Sequence, residues 1–162
     1  MSKEVELKFP KCSFVLKRLA FLAEFLKMVN CRSTKELARI CYTSYQNIKV
    51  KLYKDDMFLS EIIRIVEYYN YSFKIRMVTN KPVENNDSTQ EYTIKAKTTG
   101  EKRLDFLKAA LSENNILIMD LVKAGIVARE TYHSRFAKDD CPFSYITDIA
   151  DKMNLKIIIE IS

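Results

Sequence analysis

Glycine and histidine are nearly missing from this chain of 162 residues, which holds two glycines, one histidine and no tryptophan. Gly100 and Gly125 are too few and too far apart for a G-x-G-x-x-G or P-loop phosphate cradle. With His133 as the sole histidine, a histidine-rich metal site is excluded, and no nucleophile or acid/base motif stands out. The four cysteines (Cys12, Cys31, Cys41 and Cys141) form no C-x-x-C pair and fall on apolar patterns, which predicts reduced thiols in a core and a cytoplasmic setting. No apolar run is long enough to span a membrane, and the opening residues lack the apolar stretch of a signal peptide. The sequence therefore argues against an enzyme and implies no cofactor.

What the chain does have is itself, twice. Lys54-Asp55-Asp56 returns as Lys138-Asp139-Asp140, 84 positions on. At the same offset Ser60, Ile62, Ile65 and Asn70 are matched by Ser144, Ile146, Ile149 and Asn154. Upstream, Lys17-Arg18-Leu19 with Phe21 and Leu22 is matched by Lys102-Arg103-Leu104 with Phe106 and Leu107, at an offset of 85. A repeat of this length implies two units of one fold. The predicted division is 1–79 for the first, 80–90 for a polar linker, and 91–162 for the second.

Periodicity gives each unit a strand, four helices and a strand, so the fold class is mainly α with short β-strands. In the first unit residues 5–9 alternate as a strand, and Ser13 caps a helix carrying Phe14, Leu16, Leu19, Leu22, Phe25 and Leu26. Ser33-Thr34-Lys35-Glu36 reads as a reciprocal capping box opening a short second helix. Thr43 or Ser44 caps a third helix over 45–53, with Ile48 and Leu52 as its core pair. A fourth helix carries Leu59, Ile62, Ile63, Val66 and Tyr69, and residues 73–77 alternate as a half-buried strand. The second unit repeats the order: a strand at 92–96, helices from about 102, over 116–123, 129–138 and 144–153, then a strand over 155–161. Asp55-Asp56 and Asp139-Asp140 read as turn-formers or caps for the helix that follows, and Tyr68, Tyr69 and Tyr71 as core.

Charge is uneven. The chain carries a net +6, but residues 1–79 hold 15 Lys/Arg against 8 Asp/Glu, a balance of +7, whereas residues 99–162 hold 9 against 10, a balance of −1. A basic first unit suits a phosphate backbone.

The stretch from Glu36 to Ile48 places two short helices around a tight turn, with Leu37-Ala38 ten residues before Ile48. It resembles the Cro/lambda-repressor-like helix-turn-helix family of DNA-binding proteins, also called the xenobiotic-response-element type. Gln46-Asn47-Ile48 and the following Asn70-Tyr71-Ser72-Phe73-Lys74-Ile75-Arg76 resemble a bacterial subgroup whose domain ends in a strand. Tyr42 stands where that family usually has glycine.

The resemblance implies two tandem diverged helix-turn-helix domains and a bacterial transcriptional regulator that binds double-stranded DNA. Its recognition helix would present Ser44, Tyr45, Gln46, Asn47, Lys49 and Val50, with Lys51 and Lys54 placed for phosphate or guanine. Thr34 and Lys35 would hold the phosphate backbone. In the second unit Arg129, Thr131, His133 and Arg135 occupy the equivalent helix. Two assemblies fit: an intramolecular pseudo-dimer, or a homodimer joined through the Ile-rich terminal strand. The rival reading is a protein-interaction module, such as an antitoxin-like partner binder, that kept the fold with little DNA binding.

Overall fold

In the computed structural model, which describes residues 3–7, 18–79, 91–94 and 102–162, the two repeats have the same order of elements. The first runs β1 (Lys3–Leu7), α1 (Ala20–Met28), α2 (Thr34–Ile40), α3 (Tyr45–Lys54), α4 (Leu59–Tyr68) and β2 (Phe73–Thr79). The second runs β3 (Glu91–Ile94), α5 (Asp105–Glu113), α6 (Ile118–Lys123), α7 (Arg129–Lys138), α8 (Phe143–Lys152) and β4 (Leu155–Ile161). The protein is thus mainly helical with short strands. The expected Ser13 cap, the Phe14 and Leu16 stripe, the 80–90 linker and Cys12 lie outside the described residues.

Scarcity of glycine shapes how the helices end. Among the described residues eight take the left-handed conformation: Asn30, Tyr42, Asp55 and Asn70 in the first repeat, and Asn115, Gly125, Asp139 and Asn154 in the second. Each follows a helix. Asn and Asp tolerate this region better than other residues with a Cβ, because their short polar side chains bond locally. The backbone closes in the Schellman pattern: at the end of α1, Asn30 N–H donates to Lys27 O and Cys31 N–H to Leu26 O, and at the end of α5, Asn115 and Ile116 donate to Ser112 and Leu111.

The strands of both repeats join in one antiparallel sheet of order β1-β4-β2-β3. Each repeat's last strand thus pairs with the other repeat's first and last strands. In β2, Phe73, Ile75 and Met77 point into the core while Lys74 and Arg76 stay half-buried, the alternation of a one-sided strand. β4 is flanked on both sides and is buried on both faces at Ile157, Ile158 and Ile159. The Ile-rich terminal strand β4 thus lies inside the sheet, and among the described strands the outer ones are β1 and β3.

The centre is symmetric. The β2–β4 register pairs Ile75 with Ile159, and an isolated bridge pairs Phe58 with Pro142. Both pairs are 84 apart, so each residue meets its own counterpart, as on a pseudo-twofold axis. One hydrophobic core runs through both repeats, including Phe21, Leu22, Phe25, Ile62 and Ile65 from the first and Phe106, Leu107, Phe143, Ile146 and Ile149 from the second. Phe21 of one repeat touches Phe143 of the other, with ring centroids 5.5 Å apart.

The recurrent Lys-Asp-Asp and Lys-Arg-Leu motifs lock this arrangement. Asp55 ends α3, and its carboxylate accepts the Arg18 and Leu19 amides at 2.5 and 3.0 Å, fixing the start of α1; Asp139 does the same for Arg103 and Leu104 at 2.6 and 2.8 Å. The second aspartate crosses over. Asp56 accepts from Ser144 N–H at 2.9 Å and Ser144 Oγ at 2.6 Å, and Asp140 accepts from Ser60 N–H at 3.0 Å and Ser60 Oγ at 2.5 Å. Asp55 and Asp139 form turns as expected, each in the left-handed conformation after its helix. As caps the aspartates serve not the next helix but the first helix of their own repeat (Asp55, Asp139) and the fourth helix of the other (Asp56, Asp140).

Candidate nucleic-acid interface

α2 and α3 are short helices whose starts are fixed by serine. Ser33 Oγ accepts the Glu36 N–H at 3.4 Å, and Ser44 Oγ accepts the Asn47 N–H at 3.2 Å. The reciprocal half of the expected box is not made by Glu36, whose carboxylate accepts from the Tyr69 hydroxyl at 3.2 Å and the Cys31 thiol at 3.7 Å. In the second repeat the halves are exchanged. Leu117 has no side-chain acceptor, but the Asp120 carboxylate accepts the Leu117 N–H at 2.7 Å.

Between α2 and α3, Tyr42 takes a φ of +52°. Its N–H donates to Arg39 O and the Thr43 N–H to Ala38 O, so the turn is a Schellman closure built on a tyrosine. A residue with a Cβ is less stable there than glycine by roughly 1–2 kcal/mol. Gly125 holds the equivalent place in the second repeat at φ +73°.

Ile48 is fully buried with Leu37 and Ala38, so α3 is seated on the core by one face. Leu52 is 37% exposed, so the expected Ile48–Leu52 core pair is corrected: the C-terminal half of α3 turns away from the core. The opposite face is open. Ser44, Tyr45, Gln46, Asn47, Lys49, Val50, Tyr53 and Lys54 are all exposed, with Lys35 exposed and Thr34 half-buried at the start of α2. Asn47 Nδ2 already donates to Thr43 Oγ1 at 3.0 Å, which orients its amide. Lys51 departs from expectation. Its ammonium lies 2.6 Å from the buried Glu61 carboxylate and 5.2 Å from the centre of the Phe58 ring, so its charge is spent within the protein.

The equivalent helix α7 is seated differently. It has no fully buried residue and rests through Tyr132 and Phe136, whose rings lie 4.8 Å apart. Arg129 and His133 are exposed and Thr131 is half-buried. Arg135, the counterpart of Lys51, stacks 4.3 Å from the centre of the Tyr145 ring, and Tyr145 is the counterpart of Glu61. At the start of α6, where the first repeat has Ser33 and Lys35, the second exposes Leu117 by 67% and Met119 by 50%.

Among the described residues Cys31, Cys41 and Cys141 are free thiols, with Cys41 and Cys141 buried. Burial pushes the Cys41 thiol up to about 11, with Glu61 adding to the effect, and burial raises Cys141 further. Among the described residues no group of His, Cys, Asp and Glu is placed to hold a metal ion, and no helix is long and apolar enough to cross a membrane.

Sequence reasoning missed a second feature of the first repeat, beside the turn. Arg39, Tyr42, Arg64, Glu67 and Tyr68 line one cleft. Tyr69 and Tyr71 are core as expected, packing on Phe25 with ring centroids 6.0 and 5.3 Å away, but Tyr68 is 54% exposed. The signal was present in Tyr42 itself, a large aromatic at a turn position that favours glycine. Comparison with protein-family models, with curated proteins and with solved structures finds no match to this chain.

Proposed function

We propose that the protein binds duplex DNA in a sequence-specific manner through two tandem lambda-repressor-like helix-turn-helix units, and acts as a bacterial transcriptional regulator. The observation that carries this reading is the open face of α3. It combines hydrogen-bonding side chains (Gln46, Asn47) with a free lysine (Lys49) and exposed tyrosines (Tyr45, Tyr53) on a helix seated by Ile48. Gln or Asn can bond an adenine edge through two hydrogen bonds, and lysine neutralises phosphate. The net charge of +7 over residues 1–79 supports placing the main contact in the first repeat.

The pseudo-twofold relation favours the intramolecular pseudo-dimer. In that arrangement one chain would cover two unlike half-sites roughly 34–36 Å apart, one turn of DNA. Selection from a random duplex pool tests both points. A preferred site with two elements about one turn apart is expected, and Gln46→Ala should relax preference at one position without abolishing binding. No salt-dependent affinity for any duplex would sink the proposal.

A second reading rests on one observation. Leu117 and Met119 are exposed where the first repeat carries the polar start of α2. This favours a protein contact made by the second repeat, alongside or in place of a DNA contact by Arg129, Thr131, His133 and Arg135.

A further inference from the structure

Between the end of α2 and the outer face of α4 the first repeat opens a cleft of about 550 Å³, lined by Arg39, Ile40, Tyr42, Arg64, Glu67 and Tyr68. Small-molecule sites span roughly 300–1,000 Å³. The cleft uses none of the side chains assigned to the duplex contact.

The cleft has a built wall. The Arg64 guanidinium lies over the Tyr42 ring, 5.1 Å from its centre, and its Nη1 donates to Cys41 O at 3.4 Å. That bond and the ring contact hold the guanidinium beside the cleft and leave further N–H groups for a ligand. Tyr42 is 85% exposed, so its ring is open to a second stacking partner.

The internal repeat shows that the fold does not require this wall. Gly125 replaces Tyr42, and a Cβ there would meet nothing within 4 Å. Asp148 stands in place of Arg64, and Lys152 in place of Tyr68. The same backbone is built in the second half without the paired arginine and tyrosine. In the first half a large ring is held at a left-handed position that glycine fills at lower cost. Of the seven non-glycine residues so held among the described residues, Tyr42 alone is neither Asn nor Asp, and such strain at an exposed ring points to use.

The cleft offers a flat aromatic face, two guanidinium groups and a carboxylate. A nucleotide carries the complement of each: a planar base, a phosphate, and sugar hydroxyl or base amino donors. We propose that the cleft binds an unstacked nucleotide. Its base lies on Tyr42, its phosphate is held by Arg39 and Arg64, and Glu67 accepts from the sugar or the base. Aromatic stacking tolerates any base, whereas arginine forks the phosphate. The nucleotide comes either free or as one unit of a single strand.

The full chain would be titrated with adenosine monophosphate, with a short single-stranded oligodeoxyadenylate, and with inorganic phosphate, in the absence of duplex. Saturable binding of one nucleotide probe is expected. Tyr42→Gly, which keeps the left-handed turn, should weaken it about tenfold or more, the scale of one lost base stack. Its melting temperature should be unchanged or higher. Arg64→Ala should weaken both the mononucleotide and the strand. Tighter binding of the mononucleotide assigns a free ligand, and tighter binding of the strand assigns a nucleic-acid contact. Three results would overturn the proposal: no saturable binding of either nucleotide, phosphate competing as well as the nucleotides do, or affinities untouched by both substitutions.

Discussion

Ile75 and Ile159 face one another across the β2–β4 register, and each is the other's counterpart in the repeat. A residue can meet its own counterpart only where the symmetry axis passes. The two halves are therefore placed like the subunits of a twofold dimer, in a single chain.

The crossed caps that secure this arrangement are open to test. Asp56→Ala removes the acceptor for Ser144 at the start of α8, and Asp140→Ala removes the acceptor for Ser60 at the start of α4. Each should cost about 1 kcal/mol, the usual scale of a lost N-cap. Because one core runs through both repeats, calorimetry should show one cooperative transition for the parent and for both variants. Two separated transitions in the parent would contradict the shared core.

Lys49 and Lys51 lie two residues apart on α3 and should behave differently. Lys51→Ala leaves the buried Glu61 carboxylate without its ammonium and should cost roughly 1–3 kcal/mol in denaturant unfolding. Lys49→Ala should leave unfolding nearly unchanged. If α3 meets DNA, Lys49→Ala should lower the slope of log affinity against log salt by about 1. A stability loss at Lys49 with none at Lys51 would overturn the assignment.

Tyr145 occupies the place of Glu61 in the second repeat, but its hydroxyl is buried without a hydrogen-bond partner. Tyr145→Phe keeps the ring under Arg135 and removes that hydroxyl. A gain of up to about 1 kcal/mol is expected, since an unsatisfied buried polar group is a cost. A clear loss in thermal unfolding would show that the hydroxyl is bonded in solution.

Asp148 has a carboxyl raised above its ordinary value by desolvation, with Asp151 and Asp56 adding to this and Arg18 and Lys152 opposing it. The folded state therefore binds this proton more tightly than the unfolded chain does. Ionisation costs stability as pH rises through the carboxylate range, and protonation at lower pH relieves the cost. Asp148→Asn should raise the melting temperature at pH 7 and have less effect near pH 4. The effect is small because the side chain stays in contact with solvent. An equal shift at both pH values would reject the assignment.

The local elements were readable because their causes are local. Ser33 and Ser44 announce helix starts by residue type, and the stripe through Leu59, Ile62, Ile63 and Val66 has the period of a helix face. The alternation at Phe73, Ile75 and Met77 likewise fixes the buried side of β2.

What escaped depends on residues far apart in the chain. Asp56 was visible as a cap, but its partner Ser144 lies 88 positions away, and nothing in the spacing points across the repeat. Lys51 looked like a free lysine because Glu61, ten residues on, belongs to the next helix. Leu52 fits an i, i+4 core pattern with Ile48 yet is exposed, since the core ends partway along α3. The nucleotide cleft needed α2 and α4 side by side before Arg39, Arg64 and Tyr68 had any relation.

The strand order carries a consequence for how the protein is made. β2 leaves the ribosome a full repeat before β4, the strand that must lie beside it. Until β4 arrives, β2 lacks its central neighbour and β1 has no strand to join. The first half is thus synthesised as an unfinished sheet, and its closure waits for contacts distant in sequence, the kind that form slowly. In that interval the β4 side of β2 is an unpaired edge, and such edges are where chains can exchange strands with other copies.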